Sequence, residues 1–212
     1  MNLVSYYKDR AKEYEKIYSK PERQDDLQNA SIYLQHVFAD KNVLEIACGT
    51  GYWTERIAAS ASSIFATDVN ESVIDVAKRK IIPNQNVSFG VADIYNFNAI
   101  NKYESLFGGF IMSHIKMQDI DKFLMTINNL VYPRGKIVFM DNNFVEGSNL
   151  PITNTDEEGN TFQTRKLEDG SIHLVLKNFH SENFLRLKLN GIADEVKFIK
   201  LKYYWILEYN NL

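Results

Sequence analysis

The sequence predicts a doubly wound α/β fold built on a mostly parallel sheet. Two observations support this prediction. Strand and helix patterns alternate along the chain, which requires parallel strands joined by right-handed crossovers. The apolar segment 43–47 also runs directly into a Gly-x-Gly turn at Gly49 and Gly51, and a helix pattern follows. Because ligands of open α/β sheets bind outside the carboxyl ends of the strands, this turn marks the predicted ligand-binding edge.

The elements follow one another in a regular order. After the first strand, apolar segments predict strands at 63–67 and 87–92, and a last pair at 195–201 and 203–209. Asn70 or Asp68 is positioned to cap a helix between the second and third strands. The predicted helices cover residues 5–19, 25–39, 52–60, 71–80, 118–131 and 181–190.

Composition and charge indicate one domain over residues 1–212. The chain is 45% hydrophobic and 13% aromatic, enough for a sizeable core. No run of 18 apolar residues is present, so no membrane partner is expected, and the charged first residues do not resemble a signal peptide. A cytoplasmic location is therefore expected. The net charge of −3 argues against the basic surface that nucleic acid requires, so no nucleic-acid partner is expected.

Residues around the Gly-x-Gly turn narrow the class of ligand. Glycine permits backbone conformations forbidden to other residues and lets a ligand approach the main chain, although such a pair also occurs in turns for purely steric reasons. A dinucleotide-binding turn has a third glycine three residues on. This position is Thr54, so a pyrophosphate ligand is disfavoured. Glu45 lies within an apolar strand, where an unpaired carboxylate is costly, and is predicted to face a polar or cationic ligand.

Two further carboxylates follow predicted strands. Asp68 ends the second strand about 20 residues beyond the glycines, where nucleotide-binding α/β folds carry the acid that binds ribose hydroxyls. Asp93 follows the third strand and suits the amino group of an adenine. Since the carboxyl ends of parallel strands meet at one edge of the sheet, these acids and the glycine turn predict one nucleoside-binding site.

The chain resembles the class I S-adenosylmethionine-dependent methyltransferases over residues 41–141. The resemblance is carried by VLEIACGTGYWT, FATDVN and VADIYNF, by YESLFGGFIMSHI as a fourth strand segment, and by the Pro-Arg-Gly-Lys turn before IVFMD as a fifth. It implies a Rossmann-like methyltransferase fold with a seven-stranded sheet whose last two strands pair antiparallel at one edge. It also implies S-adenosyl-L-methionine as cofactor and S-adenosyl-L-homocysteine as product.

The resemblance further implies roles for individual residues. Gly49 and Gly51 are expected to lie against the methionine moiety, and Glu45 to act on its amino group, directly or through water. Asp68 is expected to hold the ribose, and Asp93 with the backbone of the next residue to bind the adenine. The expected cofactor contacts are Tyr14, Glu45, Ala47, Gly49, Gly51, Trp53, Asp68, Val69, Asp93, Ile94 and Gly109.

Two segments outside this core are candidate lids. The insertion 147–180 follows the fifth strand, and within it residues 160–167 and 171–176 flank Glu-Asp-Gly, which predicts a β-hairpin. This hairpin either caps the substrate pocket or is a plain edge hairpin. The N-terminal segment 1–40 is predicted to form a helical lid, with tyrosines that cover the cofactor or pack on the sheet. The predicted divisions of the domain are therefore 1–40, 41–146, 147–180 and 181–212.

His114, just past the fourth strand, is the candidate catalytic residue. It is either a base for an acceptor whose proton must leave or a helix-start histidine that bonds the backbone. The candidate substrate-binding residues are Tyr18, His114 and Arg165, of which Arg165 either receives a substrate carboxylate or is solvated. Asp141 and Asn142 resemble the acid–amide pair of the magnesium-dependent catechol type. The second aspartate of those enzymes is replaced here by Gly-Gly-Phe, so no metal is expected.

Three functions are compatible with these features. The first is in-line transfer of a methyl group to nitrogen or oxygen of a small-molecule acceptor, by a monomer or homodimer, and the acidic charge and two candidate lids favour it. The second is methylation of a peptide or protein nitrogen with the same cofactor in an open groove. The third is a catalytically silent nucleoside-binding module. The identity of the acceptor depends on loops whose geometry the sequence does not specify.

Overall fold

The computed structural model describes residues 6, 10, 14–82, 84–97, 99 and 101–212, except for the side chain of Tyr14. Within this part of the chain there are two β-sheets. The strands are β1 (Asn42–Ile46), β2 (Ser63–Asp68), β3 (Val87–Val91), β4 (Tyr103–Gly109), β5 (Val131–Asn142), β6 (Asn154–Thr155), β7 (Thr161–Lys166), β8 (Ile172–Leu176), β9 (Ala193–Lys200) and β10 (Tyr204–Asn211). The larger sheet has seven strands in the order β3-β2-β1-β4-β5-β10-β9.

The larger sheet is parallel except at one edge. Strand β1 lies between β2 and β4, and these strands, β3 and β5 all pair parallel. Strand β10 pairs antiparallel with β5 and with β9. The predicted seven-stranded, mostly parallel sheet with an antiparallel last pair is therefore confirmed. The order of the strands reverses between β1 and β4, which is the point where open α/β sheets bind ligands.

Five α-helices flank this sheet among the described residues: α1 (Gln24–Val37), α2 (Tyr52–Ile57), α3 (Glu71–Ala77), α4 (Ile120–Leu130) and α5 (Glu182–Leu189). Helix α2 is shorter than predicted because the chain tightens at its end, where the Ala58 N–H bonds the carbonyls of both Thr54 and Arg56. The predicted N-terminal helix is described in part, with a 3₁₀-helix over Tyr14–Ser19. No helix in the described ranges is long and apolar enough to cross a membrane.

The hydrophobic core has two halves, one on each face of the sheet. Successive residues of β5 point to opposite faces, as the pleat of a strand requires. Val138 and Met140 pack with Trp53 of α2 on one face, whereas Phe139 packs with Phe123 of α4 on the other. All five side chains are buried. A strand covered by helices on both faces is apolar at consecutive positions, as the Ile-Val-Phe-Met run of β5 shows.

The insertion after β5 forms the second sheet, in which β7 pairs antiparallel with β6 and β8. The predicted hairpin is present as β7 and β8, and Gly170 adopts φ +88° in its turn. Strand β6 was not predicted. Two amides attach the base of the hairpin to the segment after β4: the Asn178 N–H donates to the Ser113 carbonyl (2.8 Å), and the Met117 N–H donates to Asn160 Oδ1 (2.7 Å).

We expect Phe123→Ala to lower the free energy of unfolding by about 3–5 kcal/mol, because it removes a fully buried ring and leaves a cavity. Met125→Ala, on the same helix but 61% exposed, is the control and is expected to change it by about 0.5 kcal/mol or less. Urea denaturation followed by circular dichroism measures both values. Equal losses would contradict the assignment of this helix face to the core.

Candidate active site

The turn between β1 and α2 has a tight conformation that depends on glycine. Ala47, Gly49 and Gly51 have φ values of 51°, 55° and 80°. A Cβ at Gly51 would lie 3.1 Å from the Cβ of Ala77, so the missing side chain lets α3 pack against the turn. The Gly49 N–H donates to the Asp68 carboxylate, with 3.0 Å between N and Oδ2. This bond joins the turn to the end of β2.

A cavity of about 360 Å³ opens beside the turn, at the carboxyl ends of β1, β2, β3 and β4. Val73 on α3 and Tyr95 after β3 line it and were not predicted, because apolar and aromatic residues near an acid give no distinctive sequence signal. Seven of the eleven residues predicted to contact the cofactor line this cavity: Ala47, Gly49, Asp68, Val69, Asp93, Ile94 and Gly109.

Hydrogen bonds orient the two carboxylates that face this cavity. Asp68 Oδ1 accepts from the Asn70 N–H (2.9 Å). Burial raises the pKa of Asp68, and its backbone hydrogen bonds limit the rise. Asp93 lies exposed at the rim, where its oxygens accept from the Tyr95 N–H (3.0 Å) and the Asn96 side-chain amide (2.7 Å). Both carboxylates are thus held at the sheet edge before any ligand binds.

Glu45 lies behind the wall of the cavity. Its side chain is buried, and its Oε2 has no hydrogen-bond partner among the described residues. Burial raises the pKa of Glu45 to about 8, and the nearby Asp68 carboxylate adds to the rise. A buried acceptor without a partner, next to two oriented carboxylates and a backbone turn, fits a nucleoside ligand with an ammonium group.

A second cavity, of about 450 Å³, lies next to the first. Phe110 and His114 line both cavities. The other walls come from described residues of the segments 6–23, 142–150 and 163–167, and from Lys177 and Tyr204. The second cavity is therefore enclosed by the N-terminal segment and by the insertion, and not by the sheet alone.

The two predicted lid segments contact each other at this cavity. Tyr6 packs with Leu167 and Val175 in a small apolar cluster. The Arg165 guanidinium lies 5.7 Å from the centroid of the Tyr6 ring. Because Tyr6 belongs to the N-terminal segment and the other three residues to the hairpin, these contacts join the two segments.

Tyr18 is in the core and does not line either cavity, so its contact with a substrate stays a prediction. Its ring stacks on Tyr52 with 3.6 Å between centroids and packs edge-on against Trp53, which leaves it 6% exposed. Trp53 does not line the first cavity because its ring packs against Tyr18. Gly51 does not line it either, because it faces Ala77 of α3. The side chain of Tyr14 is outside the described residues, so its contact with the cofactor stays a prediction.

His114 is held at the shared wall as a neutral imidazole. Its Nδ1 lies 2.6 Å from the Leu176 carbonyl oxygen, which can only accept, so Nδ1 carries the proton and Nε2 does not. Burial lowers the pKa of His114 to about 3, and the Lys177 and Arg165 cations contribute. At neutral pH the ring is therefore a hydrogen-bond acceptor and a weak base. The bond to the backbone agrees with one of the two roles predicted for it.

A buried ion pair supports His114 from behind. Lys177 Nζ lies 3.0 Å from Asp141 Oδ1 and donates to Ser113 Oγ (2.6 Å). The Ser113 N–H donates to Asp141 Oδ2 (2.8 Å). Burial opposes ionisation of Asp141, but the Lys177 ammonium and these hydrogen bonds lower its pKa to about 2. Lys177 was not predicted, because a lone lysine after a strand belongs to no motif.

The Asp141 oxygens are thus already bonded to an ammonium and to backbone N–H groups. In the part of the chain that the structure describes, no three His, Cys, Asp or Glu side chains are grouped in a way that could hold a metal ion.

Comparisons with known proteins agree with this geometry. A family model described as a methyltransferase domain matches residues 43–135. Malonyl-[acyl-carrier protein] O-methyltransferase 1 of Ilyobacter polytropus is 32% identical over 91 residues, covering 42% of this chain and 32% of that protein. The chain thus matches about a third of the length of that relative. An uncharacterized methyltransferase of Bacillus cytotoxicus is 22% identical over 173 residues, covering 79% and 76%.

Among solved structures, the DhpI–SAM–HEP complex superposes with a TM-score of 0.79 and 25% identity, over 98% of this chain and 95% of that one. The fold, the oriented carboxylates and these similarities together support a class I S-adenosylmethionine-dependent methyltransferase.

We expect Asp68→Ala to weaken binding of S-adenosylhomocysteine by about 10- to 100-fold, since a hydrogen bond to a charged group contributes about 1.5–3 kcal/mol. Calorimetric titration measures the affinity. Asp75→Ala is the matched control, because Asp75 is exposed on α3 and does not line the cavity. Unchanged affinity in Asp68→Ala would show that this carboxylate does not hold the ribose.

Glu45 makes stability depend on pH. Its folded-state pKa of about 8 exceeds the ordinary value of about 4.3, so the folded state retains a proton that the unfolded chain has lost. Between these two pKa values, rising pH therefore lowers the free energy of unfolding by at most about 1.4 kcal/mol per pH unit. Above the folded-state pKa of about 8, Glu45 causes no further loss of stability. We expect Glu45→Gln to lack this contribution.

Urea denaturation from pH 5 to 9 tests this expectation, because other titrating groups affect both proteins alike. The stability of the unaltered protein should fall relative to that of Glu45→Gln as pH rises. Parallel profiles would mean that Glu45 has an ordinary pKa.

Proposed function

We propose that this enzyme transfers a methyl group to nitrogen or oxygen of a small-molecule acceptor bound in the second cavity. The observation that carries the proposal is the wall that the two cavities share, formed by Phe110 and His114. Methyl transfer requires donor and acceptor to meet in line at a short distance. Two adjoining cavities, one of nucleoside type and one enclosed by lid segments, meet this requirement.

The first cavity supplies the groups for the cofactor. The backbone at Ala47 and Gly49 would face the methionine moiety, Asp68 the ribose and Asp93 the adenine, while Glu45 would accept a hydrogen bond from the ammonium group, directly or through water. Bound S-adenosylmethionine supplies a methyl group that its sulfonium makes electrophilic. The protein has to orient the acceptor and exclude water, which accounts for much of the rate enhancement in reactions of this kind.

His114 would orient the acceptor and not act as a strong base. Its unprotonated Nε2 suits a hydrogen bond from an acceptor hydroxyl or amine. The pKa of about 3 makes full removal of a proton by this ring unfavourable at neutral pH.

The lid segments favour a small acceptor over a peptide or protein. Contacts of Tyr6 with Leu167 and with the Arg165 guanidinium join the N-terminal segment to the hairpin over the second cavity. A peptide acceptor needs an open groove, whereas these contacts close one side.

The name of the Ilyobacter relative, an O-methyltransferase, supports oxygen as the accepting atom.

An acceptor screen that measures release of S-adenosylhomocysteine tests the proposal. We expect turnover with a small acid, alcohol, phenol or amine. With the active acceptor, His114→Ala is expected to lower kcat/KM by about tenfold or more, the effect of one lost hydrogen bond in a buried site. His36→Ala, an exposed histidine on α1, should leave kcat/KM unchanged.

Because His114 stays neutral above about pH 4, its titration should not produce a loss of rate near pH 6.5. Turnover only with peptides, or no loss of activity in His114→Ala, would contradict the proposal.

A further inference from the structure

The second cavity is strongly basic in a chain whose net charge is −3. No aspartate or glutamate is present among the described residues that line it, whereas seven lining residues are lysine or arginine. The ion pairs among the described residues that involve this set join Lys16 to Glu168 and Lys177 to Asp141. The basic side chains come from the N-terminal segment, β7 and the end of β8, so the charge is concentrated at this cavity by the fold and not by a local run of sequence.

Arg23 is the most informative of these residues because it is only 6% exposed. Its Nε and Nη2 donate to Ser148 Oγ (3.0 and 2.8 Å), and Nη2 also donates to the Ser148 carbonyl (3.0 Å). The rings of Tyr203 and Tyr204 lie 5.4 and 5.7 Å from the guanidinium carbon. The Glu22 carboxylate accepts from the Ser148 hydroxyl (2.9 Å) and not from the guanidinium.

The described ion pairs do not include Arg23. Burying a cation is costly unless an anion compensates it. The Glu22 carboxylate, which accepts from the same Ser148 hydroxyl, interacts electrostatically with both Arg23 and Lys20, so one carboxylate faces two cations. Lys20 adds to the excess charge, since its Nζ donates to the same Ser148 carbonyl (2.6 Å). Burial and the Arg23 cation lower the pKa of Lys20, as expected for two cations that share one site.

Arg165 lies on β7 and lines the same cavity, near His114 at the boundary with the first cavity. Its Nη2 donates to Gln163 Oε1 (2.8 Å), which holds the guanidinium in place along β7. Its charge contributes to the lowered pKa of His114, so the two groups are close. Planar guanidinium groups bind carboxylate and phosphoryl oxygens through paired N–H donors.

We infer that the methyl acceptor is a small molecule with an oxyanion, a carboxylate or a phosphoryl-type group, which Arg23 and Arg165 bind in the second cavity. The inference rests on the proposed function, and it adds the charge class of the acceptor. An acceptor of this class also needs little help from a base, because an oxyanion is already deprotonated at neutral pH.

Calorimetric titration of the full chain saturated with S-adenosylhomocysteine tests the inference. The probes are methylphosphonate and succinate, with ethanolamine and acetamide as cationic and neutral counterparts. We expect the anionic probes to bind and the others not to bind. The anion that binds with the higher affinity identifies whether the anionic group of the acceptor is phosphoryl or carboxylate.

Arg23→Gln and Arg165→Gln should each weaken binding of the anionic probe by about 10- to 100-fold, the effect of losing charge-assisted hydrogen bonds. Arg23→Lys keeps the charge but not the paired donors and should lose less. Arg186→Gln is the control, since Arg186 lies exposed on α5 in an ion pair with Glu182. Affinity for S-adenosylhomocysteine should stay within about twofold in all variants. If Arg23→Gln fails to fold, Arg165→Gln carries the test, because Arg165 is only partly buried.

Two results would overturn the inference while the proposed function stands: binding of S-adenosylhomocysteine without binding of either anion, or equal anion affinity in Arg165→Gln and Arg186→Gln. Failure of the unaltered protein to bind S-adenosylhomocysteine would instead overturn the proposed function, and with it the assignment of a bound anion as acceptor.

Discussion

The buried ion pair between Lys177 and Asp141 is the interaction on which the second cavity depends. Lys177 follows β8 in the insertion, Asp141 lies near the end of β5, and Ser113 after β4 bonds to both. Removing either charge would leave the other buried and unpaired, a loss of about 3–5 kcal/mol. The pair therefore holds the insertion against the sheet. It also places a positive charge beside His114, which adds to the effect of burial in keeping that ring neutral at the wall between the cavities.

In the proposed function, the two cavities divide the work of the enzyme. The first is built on the strand ends of the sheet and carries the oriented carboxylates Asp68 and Asp93, which suit a nucleoside with hydroxyl and amino groups. The second is built from segments added to the sheet and carries cations such as Arg23 and Arg165. Segments added to a sheet can change without altering the strand ends.

Sequence reasoning succeeded where a residue and the sequence motif that identifies it lie in one strand–turn–helix unit. Gly49, Asp68 and Asp93 line the first cavity because each sits at a strand end, and the sheet brings such ends together. It was less informative for Tyr18 and Trp53, which are close to the motifs in sequence but point into the aromatic core. Proximity along the chain does not specify the direction of a side chain, which depends on packing against distant elements.

The sequence by itself determined a doubly wound α/β fold and a predicted nucleoside site at its strand ends. These features follow from backbone periodicity, from a Gly-x-Gly turn and from carboxylates at fixed positions, whereas the seven-stranded sheet and the class of cofactor followed from the family resemblance that these motifs carry. The acceptor site was decided only by the tertiary structure. Arg23 meets Ser148 across 125 positions and Tyr6 meets Arg165 across 159. No local pattern encodes such pairs, since they form only when the N-terminal segment and the insertion fold over the same edge of the sheet.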